Sequence, residues 1–155
     1  MDFRILGPLE VLDEGRAVTL GGTKQRALLA LFLVHANETL ATDRLIDELW
    51  GERPPANAAK TVQMQVSRLR KALAAGAAGD LVMTRERGYE LRLDPEQLDS
   101  HRFERLIAEG TSELAAGRPE RAVQTLEGAL SLWRDAPLAD LAYEPFAQGE
   151  IARLE

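Results

Sequence analysis

The chain has 155 residues, of which 45% are hydrophobic and 28% are charged; 19 basic and 25 acidic side chains give a net charge of −6. This composition is typical of one or two globular domains and excludes a disordered or fibrous chain. Because cysteine is absent, disulfides, thiolate metal sites and cysteine nucleophiles are excluded. The longest apolar run, Ala27 to Val34, is far shorter than the roughly 20 residues of a membrane span, and no signal peptide is apparent. We therefore expect a cytoplasmic protein without membrane contact.

The charge is unevenly distributed along the chain. Residues 1–98 carry 13 basic and 14 acidic side chains, whereas residues 99–155 carry 6 and 11. Within the first part, the segment from Lys60 to Arg92 holds seven basic side chains against three acidic ones. A local basic segment therefore lies in an acidic chain, and it weakens the argument that a net charge of −6 makes against nucleic-acid binding.

The first fifty residues predict a small sheet followed by two helices. Partial alternation over residues 3–12, and again over 18–20 beyond a turn, indicates antiparallel strands. Thr23 and Thr42 each precede a helical pattern, so we expect their hydroxyls to cap helices over residues 24–34 and 43–50. The second helix should stop at Gly51, ahead of Pro54 and Pro55.

A third helix is predicted from about Ala58 to Ala75, with its end at Gly76. Its buried stripe has spacings of 4, 3 and 4 and consists of Val62, Val66, Leu69 and Leu73. The opposite face is basic and polar and holds no acid. It consists of Lys60, Met64, Ser67, Arg68 and Lys71, flanked by Thr61 and Gln63, with Arg70 on a shoulder nearer the stripe.

These residue types suit the DNA major groove, which admits a helix. Arg or Lys can pair with guanine, Gln with adenine, and an apolar tip such as Met64 with the thymine methyl group. A solvated charged face explains a basic helix equally well when the helix is considered alone. Residues 81–84 and 89–93, however, predict strands of a hairpin with Gly88 at its turn. Its Arg85 and Arg87 could reach a minor groove or phosphates, which favours DNA binding.

The remainder of the chain is predicted to be helical. After Asp94 and Pro95, amphipathic helices over residues 100–115 and 119–133 are separated by a short turn, as in a helical hairpin of the tetratricopeptide kind. A further helix is expected from about Glu144. Because such repeats need about three copies to bury a continuous core, we expect the chain to be part of a longer one.

Two segments resemble the recognition helix and the wing of OmpR/PhoB-type winged helix-turn-helix proteins. Residues 60–73 match the family pattern T-V-x-x-x-[IV]-x-x-L-R-[KR]-x-L, and residues 84–89 match a wing that ends in Gly-Tyr. Further segments resemble, more narrowly, the Streptomyces antibiotic regulatory proteins. These segments are Leu6-Gly7-Pro8-Leu9, Gly21 to Arg26, Leu49-Trp50-Gly51 with Pro54-Pro55, Phe103, Leu114 to Arg118, Ala129-Leu130, and Trp133 with Pro137-Leu138.

This resemblance, which covers the whole chain, implies an α+β winged helix-turn-helix domain over residues 1–94. The N-terminal part of an all-α, tetratricopeptide-like "bacterial transcriptional activator" domain would follow over residues 95–155. The implied function is sequence-specific binding of double-stranded promoter DNA at direct repeats, in pairs. The protein would activate transcription of secondary-metabolite (antibiotic) biosynthesis genes by contacting RNA polymerase and its sigma factor. No receiver domain precedes the winged domain, so phosphoryl control of the response-regulator kind is not expected.

The resemblance also assigns roles to individual residues. DNA contact is implied for Lys60, Thr61, Gln63, Met64, Ser67 and Arg68, with Lys71 on the same outer face, and for Arg85 and Arg87 in the wing. The loop from Gly51 to Asn57, with Glu52 and Arg53, matches the segment implicated in contacting RNA polymerase. Two departures predict modest phosphate affinity: Ser67 stands where many relatives have a basic residue, and Glu86 separates the two wing arginines.

No catalytic, metal or cofactor site is expected. His35 and His101 lie 66 positions apart without carboxylates at metal-ligand spacing, which favours structural or surface roles. Gly21 to Lys24 lacks the spacing of a phosphate-binding loop, so Lys24 and Arg26 are expected to contact DNA backbone or solvent. A rival interpretation is a helical-repeat interaction module whose winged domain does not bind DNA. The net charge of −5 over residues 99–155 favours it, and the acid-free helix face disfavours it.

Overall fold

The computed structural model describes residues 1–74 and 81–154. The strands are β1 (Asp2–Arg4), β2 (Glu10–Asp13), β3 (Arg16–Ala17), β4 (Thr39–Ala41), β5 (Val82–Arg85) and β6 (Gly88–Leu91). The helices are α1 (Thr23–Val34), α2 (Thr42–Trp50), α3 (Ala58–Ala74), α4 (Asp99–Ala115), α5 (Pro119–Leu130) and α6 (Ala147–Leu154), with short 3-10 helices at Pro95–Gln97 and Ala139–Leu141. Two antiparallel sheets have the orders β1-β2-β3 and β4-β6-β5.

Helix α1 lies at the centre of the fold. Each of its residues from Ala27 to Val34 is buried, because it is apolar on nearly every side and is surrounded by other elements. The same core also includes residues of strand β1, of helices α2 and α3, and of the segment around Phe146. The predicted fold class, a winged helix-turn-helix of α+β type followed by an all-α region, is confirmed.

The predicted threonine caps are wrong. Helix α1 begins at Thr23 itself, and the carbonyl of the extended residue Gly22 accepts the first helical hydrogen bond, from Arg26, at 3.1 Å. Helix α2 likewise begins at Thr42, whose N–H donates to the carbonyl of Arg87 at 3.0 Å. The wing thus satisfies one of the backbone N–H groups that the start of a helix leaves without an intrahelical partner.

Helix α3 buries the predicted stripe, since Val62, Val66, Leu69 and Leu73 are each at most 1% exposed. Its predicted last residue and its glycine stop, Ala75 and Gly76, lie outside the described residues. Helix α5 ends at Leu130 rather than Trp133, whose ring packs edge-on against Phe103 of α4 with 5.5 Å between centroids. Helix α6 begins at Ala147, three residues later than predicted.

The wing has three strands rather than two, because β4 pairs with β6. The sequence pattern does not predict β4, which is only three residues long. Gly88 lies at the start of β6 opposite Ala41 and not at the turn, which consists of Glu86 and Arg87. A Cβ atom at Gly88 would overlap the carbonyl oxygen of Leu40, so this close approach of two strands explains the glycine.

A buried carboxylate joins the first sheet to the helical region. Asp99, the first residue of α4, is 1% exposed and accepts hydrogen bonds from the N–H groups of Ile5 at 2.8 Å and Leu6 at 3.0 Å. Burial raises the pKa of Asp99 above its ordinary value, although both N–H groups and the charges of Arg102 and Arg134 act to lower it. The carboxylate completes the backbone hydrogen bonding where β1 ends.

Lys24 and Arg26 contact the helical region, so the expectation that they face DNA or solvent is wrong. Arg26 pairs with Asp140 and donates to the carbonyl of Leu9 at 2.7 Å. Lys24 donates to the carbonyl of Leu49, and its Nζ lies 3.5 Å from a carboxylate oxygen of Glu144. Below, the junction means one group of polar contacts between the winged and helical regions, made by Lys24, Arg26, Asp99, Arg134, Asp140 and Glu144.

Candidate nucleic-acid interface

Helix α3 presents an exposed polar surface on the side opposite its buried stripe. This recognition surface consists of Lys60, Gln63, Met64, Ser67, Arg68 and Lys71, all of which are exposed. Thr61 is half-buried at its edge, and its hydroxyl donates to the carbonyl of Asn57 at 3.2 Å. The structure therefore brings the helix residues that the sequence singles out onto one side of the molecule.

The cations of the recognition surface are available to a partner. Within residues 1–74 and 81–154, no carboxylate forms an ion pair with Lys60, Arg68 or Lys71. Met64 is 48% exposed, so its apolar side chain is also accessible on this surface. Three charges and one apolar tip thus stand in solvent on a rigid helix.

Arg70 fixes the position of the wing relative to α3. Its Nε donates to the carbonyl of Val82 at 3.0 Å, and its Nη2 donates to the Thr84 hydroxyl at 2.7 Å. The guanidinium carbon also lies 5.8 Å from the centre of the Tyr89 ring, within the range of a cation–π contact. The sequence places Arg70 on a shoulder of the helix, and that intermediate position is the signal of its structural role.

The two wing arginines differ in their surroundings. Arg85, at the end of β5, is half-buried, and its Nη2 lies 3.5 Å from Oε2 of Glu90. Arg87 is in the exposed turn, and no ion pair involves it within the described part of the chain. The structure therefore leaves Arg87 free, whereas Arg85 has an internal partner.

Glu90 is a charged residue of the wing that sequence reasoning missed. Its side chain accepts a hydrogen bond from the Thr39 hydroxyl at 3.0 Å and lies 3.5 Å from Nε of Arg92. Partial burial raises its pKa, but the bonds from Arg85 and Thr39 and the charges of Arg85 and Arg92 outweigh burial, so the pKa of Glu90 lies below its ordinary value. Glu90 is consequently an ionised carboxylate near neutral pH. No sequence signal identifies it, because β4 contributes one of its partners.

The loop from Gly51 to Asn57 lies beside the helical region. Glu52 and Arg53 are exposed in it. Gly51 has a φ angle of 59°, and a Cβ atom there would lie 3.7 Å from Pro145. The start of the loop is therefore packed against the second part of the chain.

The described residues contain no helix that is long and apolar enough to span a membrane. The same residues hold no group of three side chains that could bind a metal ion. His35 is buried, and its Nε2 lies 3.0 Å from a carboxylate oxygen of Glu150 on α6. This contact between elements agrees with the structural role expected of His35.

Two family models match successive parts of the chain. The model described as "Transcriptional regulatory protein, C terminal" matches residues 15–91. The model described as "Bacterial transcriptional activator domain" matches residues 98–155. The order of the two agrees with the order of the winged and helical regions in the structure.

The chain is also similar to curated regulators. It is 34% identical over 162 residues to regulatory protein DnrI of Streptomyces peucetius, covering 100% of this chain and 60% of that protein. It is 34% identical over 159 residues to transcriptional regulator RedD of Streptomyces coelicolor, covering 100% of this chain and 45% of that protein. The chain belongs to the Streptomyces antibiotic regulatory protein family. Members of this family are transcriptional regulators, not enzymes.

A solved structure of a relative has the same fold. The structure of Mycobacterium tuberculosis EmbR in complex with a low-affinity phosphopeptide superposes with a TM-score of 0.95 at 35% identity, over 99% of this chain and 41% of that chain. In sequence, EmbR of the same species is 38% identical over 154 residues, which span 95% of this chain and 39% of EmbR. The chain thus spans less than two thirds of the length of these relatives.

Proposed function

We propose that this chain binds double-stranded DNA in a sequence-specific manner and activates transcription. Helix α3 enters the major groove, and the wing reaches the neighbouring minor groove or phosphates. One observation carries the proposal: the recognition surface is exposed and acid-free, and its cations have no carboxylate partner within the described residues. A solvated surface has no need of such segregation, whereas a polyanion favours it.

Each residue of the surface has a role in this proposal. Arg68 reads guanine, Gln63 reads adenine and Met64 contacts a thymine methyl group, because these pairings fit the major-groove edges. Lys60, Thr61, Ser67 and Lys71 contact phosphates or bases along the same helix. Arg85 and Arg87 contact the minor groove or its phosphates from the wing.

The partners of the whole protein follow from the family. We propose that the chain binds promoter direct repeats in pairs and that Glu52 and Arg53 contact RNA polymerase or its sigma factor. Antibiotic or other secondary-metabolite genes are the proposed targets, and the cytoplasm is the proposed location. The division at residues 94 and 95 into a winged domain and the start of a "bacterial transcriptional activator" domain also stays a prediction.

Footprinting on genomic fragments, followed by duplex binding at several salt concentrations, tests the proposal. Direct phosphate contacts predict a log–log slope of about −0.9 per neutralised phosphate. Arg105→Ala is a suitable control, because it removes an exposed arginine from α4, far along the chain from the recognition surface. If the wild-type chain binds no promoter duplex above background at low salt, DNA binding is refuted.

In that event the protein-interaction module becomes the better function. The observation that favours it is a set of exposed apolar side chains on the helical hairpin, Leu114, Val123 and Leu130, which are 58%, 53% and 63% exposed. Exposed apolar side chains in this number suit contact with another helix more than contact with DNA. The two functions are compatible in one protein, but only the first needs the recognition surface.

A further inference from the structure

The wing sheet has one face turned towards α3 and one turned away from it. Thr84 and Tyr89 lie on the first face, where Arg70 contacts both. Arg85 and Glu90 lie on the second face, because side chains alternate along a strand. Arg85 folds back along this second face to Glu90 instead of extending beyond the turn.

Glu90 is a fixed partner for Arg85. It is 9% exposed, it sits between β4 and β5 in the middle strand of the wing, and the hydroxyl of Thr39 holds it at 3.0 Å. If Arg85 left, Glu90 would keep both Thr39 and Arg92, whose Nε lies 3.5 Å away. The carboxylate therefore keeps other partners when Arg85 leaves. Arg85 can consequently move from Glu90 to another anion without leaving a buried charge unpaired.

We propose that Glu90 limits the contribution of the wing to DNA affinity by holding Arg85 against β6 until a stronger anionic site, such as a narrow minor groove, attracts the arginine away. The inference rests on the proposed DNA binding. Narrow A·T-rich minor grooves concentrate negative potential and attract arginine, whereas grooves of ordinary width do so less. A half-buried ion pair is weak enough for this difference to decide which anion Arg85 contacts. Glu90 thus acts as a positioning residue that competes with DNA for Arg85 and reduces the affinity that the arginine adds, most of all at narrow grooves.

Glu90→Gln tests this directly, because glutamine can still accept from Thr39 but loses the charge. Two duplexes are compared that share the α3 half-site and differ at the wing site, which is an A-tract in one and mixed sequence in the other. We expect the variant to bind the A-tract duplex about two- to fivefold more tightly than the wild type, because Arg85 no longer has to leave Glu90; this is the range for a partly exposed ion pair. Affinity for the mixed duplex should rise by less, because the groove there attracts the released arginine less, so discrimination between the two duplexes increases.

Glu86→Gln is the matched control. It removes the same charge from the exposed turn of the same wing, where no ion pair to Arg85 exists within the described residues. We expect it to raise the affinity for both duplexes equally, through the general electrostatic effect alone. A second control is Glu90→Gln in an Arg85→Gln background, where the effect on discrimination should disappear.

The outcomes separate the inference from the function on which it rests. If Glu90→Gln and Glu86→Gln change both affinities alike, or if the Glu90→Gln effect persists without Arg85, the inference is overturned while DNA binding stands. If the wild-type chain binds neither duplex at low salt, the proposed function fails and the inference fails with it. Should Glu90→Gln lower the melting temperature into the assay range, Glu90→Asp replaces it. This variant keeps the charge and withdraws the carboxylate, and it should shift discrimination in the same direction by a smaller factor.

Discussion

The recognition surface and the junction both contain cations, but the two regions differ in whether these cations have carboxylate partners. At the junction, Arg134 lies 2.8 Å from a carboxylate oxygen of Glu10 and donates to the carbonyl of Pro8 at 2.8 Å. Arg26 and Lys24 are paired in a similar way with Asp140 and Glu144. On the recognition surface, no cation has such a partner within the described residues. The cations that join the two regions are paired, whereas the cations of the recognition surface, which we propose contact DNA, have no carboxylate partner within the described residues.

This comparison changes the meaning of the acidic second half. Its net charge of −5 first favours a protein-interaction module, but two of its acids, Asp140 and Glu144, neutralise cations of α1. Another, Asp99, is buried against the backbone of the first sheet. Part of the acidity is therefore used within the molecule, so it is weaker support for an acidic docking surface.

The largest expected effect lies at the junction. Asp99→Ala leaves the buried N–H groups of Ile5 and Leu6 without an acceptor, and each such loss costs about 1 to 3 kcal/mol. We expect the free energy of unfolding to fall by about 2 to 5 kcal/mol in urea titrations. Glu104→Ala, which removes an exposed acid from the same helix, should change it by less than about 0.5 kcal/mol. Equal free energies of unfolding for the two variants would contradict the conclusion that Asp99 is a buried hydrogen-bond acceptor at the junction.

On the recognition surface the effect should appear in binding and not in stability. Arg68→Ala is expected to reduce discrimination between the operator and mutated operators by about 1 to 3 kcal/mol, because a bidentate contact to guanine is lost. Its free energy of unfolding should stay within about 0.5 kcal/mol of the wild-type value, since the side chain is exposed and has no ion pair within the described residues. Fluorescence anisotropy on both duplexes measures the first quantity, and a sequence-blind loss of affinity would show that α3 does not read bases.

Arg68 and Asp99 also show what the sequence can and cannot predict. The exposure of Arg68 follows from helical periodicity, which is a local property, and the buried stripe of α3 is predicted for the same reason. The burial of Asp99 depends on the backbone of residues more than ninety positions away along the chain. Arg26 is likewise paired with a residue that is distant in the sequence, Asp140. The cap predicted at Thr42 is wrong for a related reason, because the carbonyl of Arg87 in the distant turn of the wing accepts the N–H of Thr42. Local pattern therefore predicts the helices and the recognition surface, but neither the short strand β4 nor the contacts that join distant elements.

A smaller effect is expected when the junction loses an exposed part of its charge network. Arg26→Ala should lower the free energy of unfolding by about 1 kcal/mol, because it removes a part-exposed ion pair and a hydrogen bond to the carbonyl of Leu9. Asp140→Ala should have a similar effect, and the double variant should cost less than the sum of the two. A double-mutant cycle measures this coupling. Purely additive effects would show that the pair contributes nothing, and binding of DNA should be unchanged in all three variants.

Arg85 stands between the two classes, because it is a wing cation with an internal partner, and this predicts the smallest effect. The pKa of Glu90 is lower in the folded chain than in the unfolded one, so its ion pair stabilises the fold above the ordinary carboxyl pKa and loses this contribution as the pH falls through the folded value. We therefore expect the difference in melting temperature between the wild type and Glu90→Gln to shrink when the pH is lowered from about 7 to about 3. Glu86→Gln should show no such convergence, since Glu86 lies in the exposed turn. If the difference in melting temperature is constant with pH, the ion pair between Arg85 and Glu90 does not stabilise the fold. Arg85 would then belong with Arg87 and the unpaired cations of the recognition surface.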